Sequence, residues 1–196
     1  MPTRYEVRLS GEGGQGLVLA GKILAEAAAI YDGRNATQSQ SYGPEARGGA
    51  SKSDVIIADG DIDYPKAENL DLLLALTQEA LDKYHAELRA GALLVVDSDA
   101  ITRLPQGDWQ VVSVPMSRLA REKLRKAVVA NIIALGVIVG LSRVVTEAAA
   151  ERAILARVPR GTEDLNREAF RLGLAIAGEQ AAAGSARLGA RSIAGA

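Results

Sequence analysis

Tyr5-Glu6-Val7-Arg8-Leu9-Ser10-Gly11-Glu12-Gly13-Gly14-Gln15-Gly16-Leu17 is the stretch that decides the fold class. Residues 5–9 alternate apolar and charged side chains, the two-residue period of a strand. Glycine follows at 11, 13, 14 and 16. From residue 17 to 30 dense Ala, Leu and Ile, with Lys22 and Glu26 four apart, predict a helix ending near Asp32-Gly33. Strand, glycine loop and helix in succession make the first unit of an α/β domain.

Working outward, residues 35–53 hold almost nothing apolar and are expected as a polar connection. Residues 55–58, 70–76, 93–97 and 109–114 read as strands, with a helical pattern at 77–89 between two of them. The last third is helical: residues 117–142 read as one long helix, followed by helices at 147–157 and 163–180. After about residue 183 only Ala, Gly, Ser and Arg dominate, the composition of a frayed tail. The expected architecture is an α/β, Rossmann-like sheet flanked by helices, with a helical C-terminal layer. It forms one domain over residues 1–182 and a flexible tail over 183–196.

Composition excludes several function classes. Hydrophobic residues make up 48% of the 196, enough for a substantial core. Lys and Arg number 23 against 24 Asp and Glu, so the basic excess that drives nucleic-acid binding is missing. No cysteine is present to ligate an iron–sulfur cluster, bridge a disulfide or bind zinc, and the single histidine, His85, supports neither a histidine metal centre nor a Ser-His-Asp hydrolase. Charges at Arg4, Glu6 and Arg8 interrupt any leader-like apolar stretch. The longest apolar run, 127–141, contains Asn131 and is shorter than the ~20 residues a bilayer span needs. A cytoplasmic protein with no membrane or nucleic-acid partner is expected.

Gly11, Gly13 and Gly16 satisfy Gly-x-Gly-x-x-Gly between a strand and a helix. Such glycines admit positive φ, and the free amides at the helix start favour an anion. Three readings follow: a dinucleotide loop, a structural turn, or a cradle for an anion or a cofactor phosphate. A dinucleotide fold places an acid at the end of its second strand to bind ribose; residues 35–39 contain none, which disfavours NAD or FAD. In the polar segment, Gly43-Pro44 sets a turn and Gly48-Gly49 releases the chain. Arg47 offers a planar fork for carboxylate or phosphate, with Glu45 near enough to orient it. That segment is either a solvated connection or a functional loop. Arg118, Arg121, Lys123, Arg125 and Lys126 form a solvated basic face or a docking surface for an acidic subunit or CoA phosphates. Asn131, on an otherwise apolar helix, needs hydrogen-bond partners.

Gly11-Glu12-Gly13-Gly14-Gln15-Gly16 and Ser41-Tyr42-Gly43-Pro44-Glu45-Ala46-Arg47-Gly48-Gly49, in that order, resemble two hallmarks of a known family. It is the gamma subunit family of the 2-oxoacid:acceptor (ferredoxin) oxidoreductases, of pyruvate, 2-oxoglutarate or phenylglyoxylate type. Asn131-x-x-Ala134-Leu135-Gly136 and Asn166-Arg167-Glu168-Ala169-Phe170-x-x-Gly173 are similar to it too. The resemblance implies the pyruvate:ferredoxin oxidoreductase gamma-domain fold. It also implies a multisubunit enzyme that oxidatively decarboxylates a 2-oxoacid with CoA to an acyl-CoA, passing electrons to ferredoxin or NAD. CoA would sit at a shared cleft, touched here by Gly11, Gly13, Gly14, Gln15, Gly16, Tyr42, Glu45 and Arg47. Thiamine diphosphate, Mg and iron–sulfur clusters would be on partners: thiamine diphosphate-binding alpha/beta subunits and a ferredoxin-like iron–sulfur subunit. The resemblance assigns this chain no catalytic residue and no metal ligand. A free-standing nucleotide-binding oxidoreductase and a purely structural assembly subunit are the alternatives.

Overall fold

The computed structural model describes residues 4–41 and 50–193, with side chains as far as residue 183. Six strands form one sheet: β1 (Arg4–Glu12), β2 (Asn35–Ser41), β3 (Ala50–Ala58), β4 (Leu70–Ala75), β5 (Leu88–Asp97) and β6 (Trp109–Val114). Their spatial order is β2-β3-β1-β4-β5-β6. β1, β4, β5 and β6 are parallel neighbours, while β3 runs antiparallel to both β1 and β2. The sheet is therefore mixed. β4 is buried at every position, which is why Leu-Asp-Leu-Leu-Leu-Ala carries an almost continuous apolar run.

Helices cover both faces. α1 (Leu17–Glu26), α4 (Ala130–Ser142), α5 (Glu147–Arg157) and α6 (Glu163–Ile193) lie on the face bearing Val7, Leu9, Val55, Ile57, Leu72 and Leu74. On the opposite face α2 (Gln78–Tyr84) packs Ala80 and Leu81 against Ile56, Leu73, Leu94 and Val96. α2 begins where Thr77 Oγ1 accepts from the Ala80 amide, and α5 where Thr146 Oγ1 accepts from Ala149. α4 and α6 cross at Gly136 and Gly173; a Cβ on Gly173 would overlap the Ile133 carbonyl. The two backbones are in contact there, which explains a glycine pattern that could otherwise suggest membrane helices. Among the described residues no helix is long and apolar enough to cross a membrane.

Three expectations need correction. The polar stretch 35–53 contains β2 and the first half of β3. β2 is an edge strand with no buried position, so it carries no hydrophobic signal. In β3 the buried Ser51, Ser53 and Asp54 are polar because each has a partner: Gly11 O, Gln38 and Arg8. Second, the expected long helix is two. α3 (Met116–Glu122) ends, a 3₁₀ turn covers Ala127–Val129, and α4 follows. Arg125 between them has φ 57°, a left-handed conformation that no helix interior tolerates. Third, α6 continues past residue 180, where the expected helix ended, to Ile193.

Arg8 locks the β1–β3 pairing. Its side chain is 1% exposed and grips Asp54, directly opposite in register, through Nε–Oδ1 at 2.7 Å and Nη2–Oδ2 at 3.0 Å. Nη2 also donates to Ala67 O, and Nη1 lies 2.5 Å from Glu87 as an ion pair without hydrogen-bond alignment. Burial opposes the charge, but the hydrogen bonds to Asp54 and the negative charges of Asp54 and Glu87 outweigh it and move the Arg8 pKa up. Removing Arg8 strips the buried Asp54 of its bidentate partner and leaves it only the partly exposed Lys52, 3.0 Å away. Arg8→Met is expected to cost ~3–5 kcal/mol, and Arg8→Met with Asp54→Leu considerably less, by denaturant unfolding. Equal losses in the two variants would contradict the account.

Candidate functional site

The glycine loop leaves β1 at the sheet end where the parallel strands finish. Gly14 and Gly16 adopt φ 95° and 75°, and Gly16 is the N-cap of α1 with no side-chain cap. Any other residue would be strained at both. Gln15 bends back so that its Oε1 accepts from the Glu12 amide at 2.7 Å, while the Gln15 amide donates to Glu12 O at 3.3 Å. Gly11 must be glycine because a Cβ there would collide with that Oε1. The amides of Gly13, Gly14 and Gly16 have no acceptor among the described residues. They are free for a ligand.

Asn131 fixes the far end of the loop. From the second position of α4 its Nδ2 donates to Gly16 O at 3.1 Å, and it fills the space a Gly16 Cβ would need. Its Oδ1 is buried without a partner among the described residues. The sequence marks Asn131 as a buried amide needing partners but gives no sign that its partner lies 115 residues away.

Two cavities flank the loop. One, of about 500 Å³, is lined by Gly13, Gly14, Gly16, Lys22, Ser51 and Arg157 among others. Arg157 is held by Glu26, whereas Lys22 is exposed and has no carboxylate partner among the described residues. The other, of about 290 Å³, is lined by Gly14, Gln15, Leu76, Ser117, Ala127 and Val128. It sits where β1 leads to α1 on one face and β4 to α2 on the other, the switch point at which open α/β sheets bind ligands. Glycine amides, the α1 N-terminus and a free ammonium make the loop suited to phosphate or another anion. Lys22 and Ser51 were not among the expected site residues. Lys22 carries no local signal, and Ser51 arrives only through strand pairing.

Strand pairing fixes where the described chain stops and resumes on either side of residues 42–49. Glu12 faces Ala50, Gly11 faces Ser51, and Ser41 faces Lys52 on β2. The described chain stops at Ser41 and resumes at Ala50, beside the glycine loop. Tyr42, Glu45 and Arg47 lie outside the described residues. Gly11, Gly13, Gly14, Gln15 and Gly16 are together. Gln15 acts as the brace of its own loop while its side chain also borders the smaller cavity.

Elsewhere, His85 hydrogen-bonds Leu81 O through Nδ1 and meets Trp109 edge-on, and Trp109 packs against the α2-side core. Asp59 pairs with Arg34, and no group of metal-ligating side chains occurs among the described residues. Arg121 and Lys123 lie at the C-terminal end of α3, not at the start of a long helix as expected. There the helix dipole favours them by a few tenths of a kcal/mol, roughly 0.3–1 each.

The chain is a mixed α/β domain whose glycine loop sits at the switch point of its sheet. The family model for pyruvate ferredoxin/flavodoxin oxidoreductase matches residues 6–176, and the chain belongs to that family. It is 47% identical over 178 residues to 2-oxoglutarate synthase subunit KorC of Methanocaldococcus jannaschii, covering 90% of this chain and 95% of that one. The solved keto/oxoacid ferredoxin oxidoreductase gamma subunit of Geobacter sulfurreducens PCA is 55% identical, with TM-score 0.84, covering 90% and 97% of the two chains. The 2-oxoglutarate:ferredoxin oxidoreductase of Magnetococcus marinus shares the fold at TM-score 0.82 and 21% identity; 91% of this chain aligns with 32% of that one.

Removing the Asn131 amide tests its hold on the loop. Asn131→Ala is expected to destabilise the protein by ~1–3 kcal/mol and to speed amide hydrogen exchange across residues 13–17. Exchange there that matches the parent, with β4 and β5 also unchanged, would show that the loop does not depend on Asn131.

Proposed function

We propose that this chain is the gamma subunit of a multisubunit CoA-acylating 2-oxoacid oxidoreductase, with its glycine loop forming one wall of a CoA site shared with neighbouring subunits. Three free amides beside an unpaired Lys22 carry this reading. They suit the diphosphate of CoA better than a dinucleotide, because β4, the parallel strand beside β1, ends in Ala75 and supplies no terminal acid for a ribose. When bound, CoA supplies the thiol that accepts the acyl group. Gly13, Gly14 and Gly16 would hold its phosphates through backbone donors, and Lys22 would supply charge. The motif resemblance assigns Tyr42, Glu45 and Arg47, which lie outside the described residues, to the same site.

A chain without cysteine cannot hold iron–sulfur clusters through thiolates. The clusters, thiamine diphosphate and Mg are therefore assigned to thiamine diphosphate-binding subunits and a ferredoxin-like subunit, which makes the chain inactive alone. Relatives named 2-oxoglutarate synthase favour 2-oxoglutarate as the oxoacid.

Titration of CoA on the assembled enzyme tests the reading. Arg47→Ala, Lys22→Ala and Gly14→Ala are each expected to raise the KM for CoA by about tenfold or more, the loss of one charge-assisted contact, and to leave the KM for the oxoacid unchanged. Unchanged CoA dependence in all three rejects the CoA wall. Loss of assembly at unchanged CoA dependence supports a structural subunit instead.

A further inference from the structure

Between residues 121 and 126 the chain sets Arg121, Lys123, Arg125 and Lys126 against one carboxylate, Glu122. All four cations are exposed, and none has a carboxylate partner among the described residues. Several other arginines are paired, Arg34 with Asp59, Arg103 with Asp82 and Arg167 with Glu151, while exposed Arg143 and Arg160 stand singly without a carboxylate partner among the described residues. The neighbouring Arg118 is itself engaged, if loosely, with Asp99 at 3.8 Å.

Local structure does not account for this placement. The end of α3 favours Arg121 and Lys123, but Arg125 and Lys126 precede the N-terminal end of α4, where the helix dipole repels positive charge. Arg125 also holds φ 57°, a conformation disfavoured outside glycine. The turn it makes leaves Leu124 and Val129 buried and Val128 73% exposed. An apolar side chain thus stands among four unneutralised cations.

We infer that residues 121–128 are a docking face for an acidic surface of another protein subunit, whose carboxylates meet the four cations around a small recess for Val128. The inference rests on the chain being a subunit of a larger enzyme and names the chemistry of one contact. A protein face fits better than a small anion because none of the four cations lines either cavity at the glycine loop. A polyanion such as nucleic acid fits less well, because the chain as a whole carries net charge −1. An apolar centre within a charged rim is the usual anatomy of a protein interface.

Carbodiimide coupling joins a lysine only to a carboxylate in direct contact, so Lys123 and Lys126 report the interface. The assembled enzyme, purified with all its subunits, would be treated with carbodiimide and separately with an acetylating reagent, alongside the isolated chain. Expected results are a cross-link from Lys123 or Lys126 to an Asp or Glu of another subunit, and ~tenfold slower acetylation of both lysines in the complex. Lys123→Arg with Lys126→Arg should keep assembly and lose the cross-link. Equal acetylation in free and assembled chain overturns the inference, as does protection that appears only when CoA or nucleic acid is added. A complex whose lysines stay reactive overturns this inference alone; a chain that joins no other subunit overturns the proposed function with it.

Discussion

The antiparallel pairing of β1 with β3 sets Arg8 opposite Asp54 and Glu12 opposite Ala50. In a sheet the side-chain period is two, so a one-residue slip would turn Val55 and Ile57 out of the core and carry Asp54 away from Arg8. Apolar burial on one face and a bidentate ion pair on the other therefore specify the same register. That register fixes where the described chain stops at Ser41 and resumes at Ala50. A buried ion pair adds little net stability by itself, yet it is well suited to specifying one pairing among several.

At the rim so defined, the glycine loop is held from within by Gln15 and from behind by Asn131, leaving three amides free. Preorganised donors of this kind bind an anion without paying to order the loop at that moment. Among the described residues no group of metal-ligating side chains occurs at the same place. A preorganised loop of open amides is the physical reason for proposing that the domain forms one wall of a cleft. Its exposed cations and Val128 are the observations behind the inferred docking face.

Much of the fold was legible. Alternation in residues 5–9, the glycines and the apolar periodicity after Leu17 gave the first strand, loop and helix. The buried β4 and β5 and the half-exposed β6 each left a recognisable pattern. What stayed hidden were elements whose stability comes from partners distant in sequence. β2 and the start of β3 look like a loop because their hydrogen bonds and ion pairs replace apolar contacts. The break between α3 and α4 has no proline or glycine to announce it; Arg125 bears the left-handed turn. In the site, glycines are readable because chemistry at tight turns requires them. Lys22, Ser51 and the role of Asn131 depend on tertiary proximity and were not readable.

A cysteine-free chain offers a direct test of the register on which this account depends. Cysteines placed at Glu12 and Ala50 face each other across β1 and β3 in the pairing described, within reach of a disulfide. Mild oxidation of Glu12→Cys/Ala50→Cys should close that bond in nearly every molecule, while Glu12→Cys/Lys52→Cys, two residues out of register, should stay reduced. Closure of the second pair with the first left open would mean that the two loops do not share a rim.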